Sequence, residues 1–154
     1  MTDEEVSKLI PPAFLESPGF LLNTAGKLLL QSVSESLKPS GLTVQEYGLL
    51  RIISIEGPVT QNAFAAKWQI DRTTVTELVD GLEERGVIVR LKSKNDRRYN
   101  ELHLTPAGKK LLARVVKIVD KANAEFLHPL KEEEWSLLRE SLVKLIIAQR
   151  RQHL

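Results

Sequence analysis

The sequence predicts a mainly α-helical fold with one small β-hairpin. Two observations predict the hairpin: apolar and polar residues alternate over Val87–Lys92 and Glu101–Leu104, and the loop between them is polar. A third observation predicts the helices, because apolar residues recur three and four positions apart through most of the remaining chain. The 154 residues are enough for one domain with a hydrophobic core.

The N-terminal part of the chain predicts an extended arm followed by two helices. Residues 1–12 end in two prolines and are expected to be extended. A long helix should start near Phe20 and stop at residues 39–41, Pro-Ser-Gly. Thr43 and Glu46 have the spacing of a capping box, in which each side chain bonds the backbone amide of the other residue. A second helix is therefore expected to begin there.

A helix-turn-helix is predicted in the middle of the chain. Thr60 should cap a short helix, QNAFAAKW, with Phe64 and Trp68 facing inward. After a tight turn, Asp71 should cap a second helix over Asp71–Arg85. The apolar face of this second helix consists of Val75, Leu78, Val79 and Leu82. A helix-turn-helix followed by a basic hairpin can place one element in a DNA groove and the other on the neighbouring backbone.

Two further helices are predicted after the hairpin. Thr105 and Pro106 mark the start of a helix that continues to about Leu127, and a final helix should run from Glu132 to about Gln149. The terminal helices carry more apolar surface than a small core can cover, so we expect them to pack against a second copy. The expected organisation is one domain over 1–154, with dimerisation helices at 20–38 and 106–150 and a winged helix-turn-helix core at 43–104.

The charge distribution favours a nucleic-acid partner. The net charge is only +2, but basic residues concentrate at 90–98, whereas acids collect near the N-terminus and at Glu132–Glu134. Such asymmetry permits a local nucleic-acid footprint on a nearly neutral protein. No apolar run approaches the roughly 18–20 residues of a membrane span. The N-terminus is acidic where a signal peptide would be basic, so we expect a soluble cytoplasmic protein.

Several classes of function are disfavoured by the residues that the chain lacks. There is no cysteine, which excludes disulfides and thiolate metal sites. The histidines at 103, 128 and 153 are too far apart in sequence to indicate a metal site. No phosphate-binding loop, dinucleotide fingerprint or common hydrolase motif is present, so we expect neither a cofactor nor an enzyme.

Two segments resemble the MarR (multiple antibiotic resistance regulator) family of bacterial transcriptional regulators. They are VTQNAFAAKWQIDRTTVTELVDGLEERGVIVR and NDRRYNELHLTPAGKKLL; the second contains an Asp-x-Arg wing followed by a strand and Leu-Thr-x-x-Gly. With the order of elements, the resemblance covers roughly residues 20 to 148. It implies a winged helix-turn-helix homodimer that represses or activates transcription. It also implies that DNA affinity falls when a small molecule binds, often a phenolic or other lipophilic acid.

The candidate base-reading residues lie on the helix over Asp71–Arg85. Arg72 could contact a guanine through O6 and N7, or else a phosphate. Short hydroxyl donors that also offer a methyl group to thymine are Thr73, Thr74 and Thr76. The alternative is that these threonines are only helix-surface or capping residues. Relatives commonly carry Arg or Lys where this chain has Glu77 and Gly81; Glu77 could accept a hydrogen bond from cytosine N4 or lower the affinity.

The wing contains further candidate DNA-binding residues. Arg98 matches the Arg of Asp-x-Arg and is expected in a minor groove, with Asp96 pairing with its guanidinium. Phosphate neutralisation is expected from Lys92, Lys94 and Arg97. The alternative is that the basic hairpin is solvated and does not contact DNA. The helix that directly precedes the hairpin argues against this alternative.

An effector cleft is expected between the winged core and the dimerisation helices. Its candidate residues are Phe20, Asn23, Tyr47 and Arg51. The alternative is that each of these is an ordinary core or surface residue. For the whole chain, the alternative function is a winged-helix module that binds protein and not DNA.

Overall fold

The computed structural model describes residues 8–93 and 98–152, and it places a small antiparallel sheet beside a group of helices. In chain order, the elements are α1 (Pro12–Leu15), α2 (Pro18–Leu37), α3 (Val44–Glu56), β1 (Val59–Thr60), α4 (Gln61–Trp68), α5 (Arg72–Glu84), β2 (Ile88–Lys92), β3 (Asn100–Leu104), α6 (Pro106–Leu127) and α7 (Glu132–Gln152). The predicted mainly helical class with a hairpin wing is confirmed. A 3₁₀ turn at Lys38–Ser40 joins α2 to the residues before α3.

The N-terminal region is more helical than the sequence predicts. Residues 8–9 are helical and α1 begins at Pro12, so the expectation of an extended arm is wrong for these residues; residues 1–7 lie outside the described part. Helix α2 begins at Pro18, two residues before the predicted start. The Ser17 hydroxyl accepts a hydrogen bond from the Phe20 amide at 3.4 Å, and Pro18 occupies a position where its missing amide costs nothing.

The predicted caps organise the central helices. The Thr43 hydroxyl accepts from the Glu46 amide at 3.1 Å, and the Glu46 carboxylate accepts from the Thr43 amide at 2.8 Å, so the capping box is confirmed. Gly57 ends α3 with a φ of 86°, a conformation that favours glycine. Thr60 caps α4 by accepting from the Ala63 amide at 3.1 Å. The helix-turn-helix therefore begins and ends where the sequence predicts, within one or two residues.

The sheet contains a strand that the sequence did not reveal. The strand order is β1-β3-β2, and the two residues of β1 pair antiparallel with β3 through Val59–Leu102 and Thr60–Glu101. A strand of two residues is too short to show alternation. The hairpin itself is confirmed, with Ile88 opposite Leu104 and Lys92 opposite Asn100.

The core lies where α2, α3, α5, α6 and the sheet meet. Its fully buried large side chains are Leu37, Leu49, Leu50, Val75, Val79, Leu82, Ile88, Leu102 and Val115. A polar contact closes one edge of the core. Arg85 pairs with the largely buried carboxylate of Glu46 and donates to the carbonyl of Gly41 at 2.8 Å. This contact holds the end of α5 against the start of α3.

Helix α7 is largely uncovered within one chain. Apart from Trp135, Ser136 and Leu142, every residue from 132 to 151 is exposed. Its C-terminal end reaches the helix-turn-helix, where the Arg150 guanidinium lies 6.0 Å from the ring centroid of Trp68. The prediction that Trp68 faces inward is wrong, because this side chain is 42% exposed. In the described ranges, the helices are too short or too polar to cross a membrane.

Candidate nucleic-acid interface

Helix α5 begins with a charged cap. The Asp71 carboxylate accepts from the Thr74 hydroxyl at 2.5 Å and from the Thr74 amide at 2.9 Å. These hydrogen bonds hold the pKa of Asp71 below its usual value, so the carboxylate is ionised at neutral pH and stabilises the positive end of the helix. The Thr74 hydroxyl is thereby committed to the cap, and its predicted DNA contact stays a prediction.

The exposed face of α5 carries the other candidate base-reading residues. Its solvent-facing side chains include Arg72, Thr73, Thr76 and Glu77. The Thr76 hydroxyl donates to the backbone carbonyl of Arg72 at 2.9 Å, which leaves its methyl group and both oxygen lone pairs available. Among the described residues, the Arg72 side chain has no carboxylate partner, so its guanidinium can bind an anion or a base edge without breaking an ion pair.

A cleft joins α5 to the wing. This wing–helix cleft, of about 230 Å³, brings Arg72 and Thr76 close to the wing residues at the start of β3. Its lining residues are Thr60, Gln61, Asn62, Arg72, Val75, Thr76, Tyr99 and Asn100. Polar groups from four segments therefore converge on one concave surface. Sequence reasoning did not single out Asn62, Tyr99 or Asn100, because isolated amides and one tyrosine in polar segments carry no periodic signal.

Two of the predicted basic wing residues, Lys92 and Arg98, lie in the described part of the chain. Arg98 is exposed, and its guanidinium lies 5.9 Å from the ring centroid of Tyr99. Lys92 is exposed at the end of β2. Lys94, Asp96 and Arg97 lie outside the described residues. The expected pairing of Asp96 with Arg98 therefore stays a prediction.

Arg90 links the wing to both helices of the helix-turn-helix, and sequence reasoning did not single it out. Its side chain is only 19% exposed and its guanidinium pairs with both Asp80 and Glu83 of α5. The Arg90 Nε donates to the Gln61 side chain of α4 at 3.2 Å, and the Arg90 amide donates to Glu83 at 3.0 Å. One arginine of the wing thus holds both helices of the helix-turn-helix.

The register of the hairpin explains why Arg90 makes this contact. Arg90 lies opposite Leu102 in the hairpin, so it shares the inward face of β2 with Ile88. An inward-facing arginine needs an acidic partner, and Asp80 and Glu83 are three residues apart on the preceding helix. The wing itself therefore neutralises part of the negative charge on α5.

The four predicted effector residues occupy different surroundings. Phe20 stacks on Phe14 with ring centroids 4.8 Å apart, and Asn23 is exposed. Tyr47 is half-buried, and burial raises the pKa of its phenol, which Asp120 also raises and Arg51 lowers. Arg51 lines a cleft between α3 and α6. Their roles in binding stay predictions.

Comparisons with known proteins identify the family. A profile of the MarR family matches residues 40–98. The transcriptional regulator HosA of Escherichia coli O111:H- is 30% identical over 107 residues, which cover 70% of this chain and 79% of HosA. This chain belongs to the MarR family. A regulator assigned to the hcr operon of Thauera aromatica is 37% identical over 94 residues, which cover 61% of this chain.

The fold agrees with this membership of the MarR family. The crystal structure of a MarR-family transcriptional regulator from Rhodococcus sp. RHA1 superposes with a TM-score of 0.79 at 30% identity, covering 87% of this chain and 95% of that one. The matches to the first two curated relatives are shorter: they span 57% of the Thauera regulator and 64% of the regulator YpoP of Bacillus subtilis.

Proposed function

We propose that this MarR-family chain is a transcriptional regulator that binds double-stranded DNA as a homodimer and responds to a small-molecule effector. The observation that carries the proposal is the wing–helix cleft, in which Arg72 and Thr76 of α5 lie beside Tyr99 and Asn100. Arg98 projects from the adjoining wing. This arrangement suits α5 for a major groove and the wing for the neighbouring minor groove.

The uncovered apolar side chains support a homodimer. Helices α2 and α7 expose large hydrophobic residues that the described part of the chain does not cover: Leu21, Leu22, Leu28, Leu30, Leu137, Leu138, Val143, Leu145, Ile146 and Ile147. Many exposed large hydrophobic side chains on helices of this length are typical of a protein interface. A second copy of the chain offers the same surface, as a two-fold dimer requires. We therefore assign 20–38 and 106–150 to dimerisation and 43–104 to DNA binding.

Solved structures of related proteins support both proposed partners, the small-molecule effector and the DNA. CouR from Rhodococcus jostii RHA1, at 30% identity and a TM-score of 0.78, was crystallised with p-coumaroyl-CoA bound. The fold also occurs on operator DNA in a mutant MarR from E. coli, at 22% identity and a TM-score of 0.76. The curated relatives are named as transcriptional regulators and not as enzymes. Our proposal therefore includes a regulatory, non-enzymatic role for this chain in the cytoplasm.

Replacing Arg98 by alanine tests the role of the wing. We expect Arg98→Ala to weaken binding to a selected duplex at least tenfold at fixed salt, which corresponds to about 1.4 kcal/mol. The reason is the loss of a cation from the minor groove and its phosphates. Fluorescence anisotropy of a labelled duplex measures the affinity, and Arg114→Ala, an exposed position on α6, serves as the control.

The salt dependence of the same titration tests the DNA-binding function. For the wild-type chain, the logarithm of the binding constant should fall steeply with the logarithm of salt concentration, and Arg98→Ala should reduce this slope by about one. Unchanged affinity in Arg98→Ala would remove the wing from the mechanism. No binding by the wild type at low salt would favour a protein-binding winged helix instead.

A further inference from the structure

We propose that Tyr99 is a positioning residue that orients Arg98 for the minor groove, a proposal that rests on the DNA-binding function above. The Arg98 guanidinium lies over the Tyr99 ring, with its central carbon 5.9 Å from the ring centroid. A cation this close to an aromatic face is attracted by the negative charge of the π system, most strongly where water is excluded. Tyr99 is 46% exposed, so the contact lies at the protein surface, where DNA can reach it.

The backbone of Tyr99 is held at the base of the wing. Its carbonyl accepts a hydrogen bond from the Ser93 amide at 3.0 Å. Ser93 is buried, and its hydroxyl donates to the Glu101 carboxylate at 2.6 Å. The residue after Tyr99 is Asn100, which pairs with Lys92 across the hairpin. The aromatic ring is therefore carried on a backbone that both strands of the hairpin hold in place.

Tyr99 also lies between the two surfaces assigned to DNA. It lines the wing–helix cleft together with Arg72 and Thr76 of α5, and it directly follows Arg98 in the wing. With α5 in a major groove and the wing in the neighbouring minor groove, the phosphate backbone between the grooves would cross this region. A ring in this place can direct the Arg98 guanidinium at the edge of the minor groove.

The arginine benefits from such support because its side chain is long and adopts many rotamers in water. Ordering these rotamers on binding costs conformational entropy. A guanidinium held against a ring before DNA binds loses less freedom when it enters the minor groove. A narrow A·T-rich minor groove has an enhanced negative potential, so an ordered Arg98 should favour A·T base pairs there. The affinity and the preference for A·T should therefore both depend on Tyr99.

A double-mutant cycle between residues 98 and 99 tests the proposal by anisotropy titration of the full chain at low salt. We expect Tyr99→Ala to weaken binding to a selected duplex about fivefold, and Tyr99→Phe, which keeps the ring, to change it less than about twofold. In an Arg98→Ala background, Tyr99→Ala should change the affinity less than about twofold, because its effect passes through the arginine. Tyr99→Leu, which is apolar but has no aromatic face, should behave as Tyr99→Ala does.

The matched control is Leu91→Ala. Leu91 is 47% exposed on the same hairpin and is not part of the lining of the wing–helix cleft. Its substitution removes a similarly exposed apolar side chain without touching the contact between the ring and the guanidinium. The affinity should therefore change less than about twofold. Circular dichroism verifies that each variant is folded, and Tyr99→Leu replaces Tyr99→Ala in the cycle if the alanine variant is not.

The preference for A·T base pairs is a second readout, which a merely structural role of Tyr99 would not move. Two duplexes are compared that differ only in the base pairs flanking the half-sites, A·T in one and G·C in the other. The wild type and Tyr99→Phe should prefer the A·T duplex. The preference should fall in Tyr99→Ala as it does in Arg98→Ala.

The outcomes separate the positioning role from the DNA-binding function. Additive effects of the two alanine substitutions, or a loss in Tyr99→Phe or Leu91→Ala equal to that in Tyr99→Ala, would overturn the positioning role alone. An A·T preference that the wild type lacks, or that Tyr99→Ala leaves unchanged, would do the same. If the wild type bound no duplex at low salt, the DNA-binding function itself would be lost, and the inference with it.

Discussion

Arg90→Gln is expected to weaken DNA binding at least thirtyfold and to lower the free energy of unfolding, each effect being about 2 kcal/mol. The Arg90 guanidinium pairs with Asp80 and Glu83 of α5 and its Nε bonds Gln61 of α4. Its loss leaves two carboxylates unpaired beside the DNA-facing surface, where they repel phosphates. The solvent exposure of Asp80 keeps the stability effect moderate.

Anisotropy titrations and chemical denaturation measure the two effects of the Arg90 substitution. Arg90→Lys should recover only part of the affinity, because one ammonium group cannot reproduce the forked contact with both carboxylates and Gln61. Circular dichroism establishes that the variants are folded at the temperature of the titration. If the folded Arg90→Gln protein bound DNA with the affinity of the wild type, DNA binding would not depend on the connection that Arg90 makes between the wing and α5.

Gly108→Ala is expected to destabilise the fold by about 3 kcal/mol or more, because α6 passes very close to the backbone at the start of the hairpin. A Cβ atom at Gly108 would lie 2.0 Å from the Val87 carbonyl oxygen and 3.0 Å from its carbon. That oxygen accepts from the Thr105 amide at 3.1 Å, and it shares the single Thr105 hydroxyl hydrogen, at 3.2 Å, with the nearer Gly86 carbonyl at 2.7 Å. The carbonyl therefore cannot move away without breaking these hydrogen bonds, and urea denaturation should show the loss.

Gly81→Ala is the matched control, and the expected sign is opposite. Gly81 lies inside α5, its φ is not positive, and a Cβ atom there would meet nothing within 4 Å. Alanine should therefore raise the free energy of unfolding by up to about 1 kcal/mol, because it is the better helix former. If the two substitutions had the same effect on stability, the close approach of α6 to Val87 would not be the cause.

The helices, their caps and the hairpin could be predicted because each depends on residues close in sequence. Thr43 with Glu46, Asp71 with Thr74, and Thr105 with Gly108 are all three positions apart, so their hydrogen bonds are local. Capping chemistry of this kind is visible in a single sequence. The exposed face of α5 followed from the same local periodicity.

The connections between elements could not be predicted in the same way. Strand β1 exists because Val59 and Thr60 meet residues more than 40 positions later in the chain. Trp68 is exposed and lies beside Arg150 of α7, about 80 residues later in the chain, a neighbour that local periodicity does not indicate. The contact of Arg90 with Gln61 and the wing–helix cleft likewise require the folded arrangement of several elements. Tertiary packing decides such features, and one sequence does not display it.

Selection of bound sequences from a pool of random duplex DNA tests whether a dimer presents two α5 helices to adjacent major grooves. The expected product is an inverted repeat whose half-sites are centred about 10 bp apart, because a two-fold dimer reads one half-site with each subunit. Two chains should be bound per duplex. An asymmetric single site, or no enrichment of any sequence at low salt, would contradict the proposed regulator.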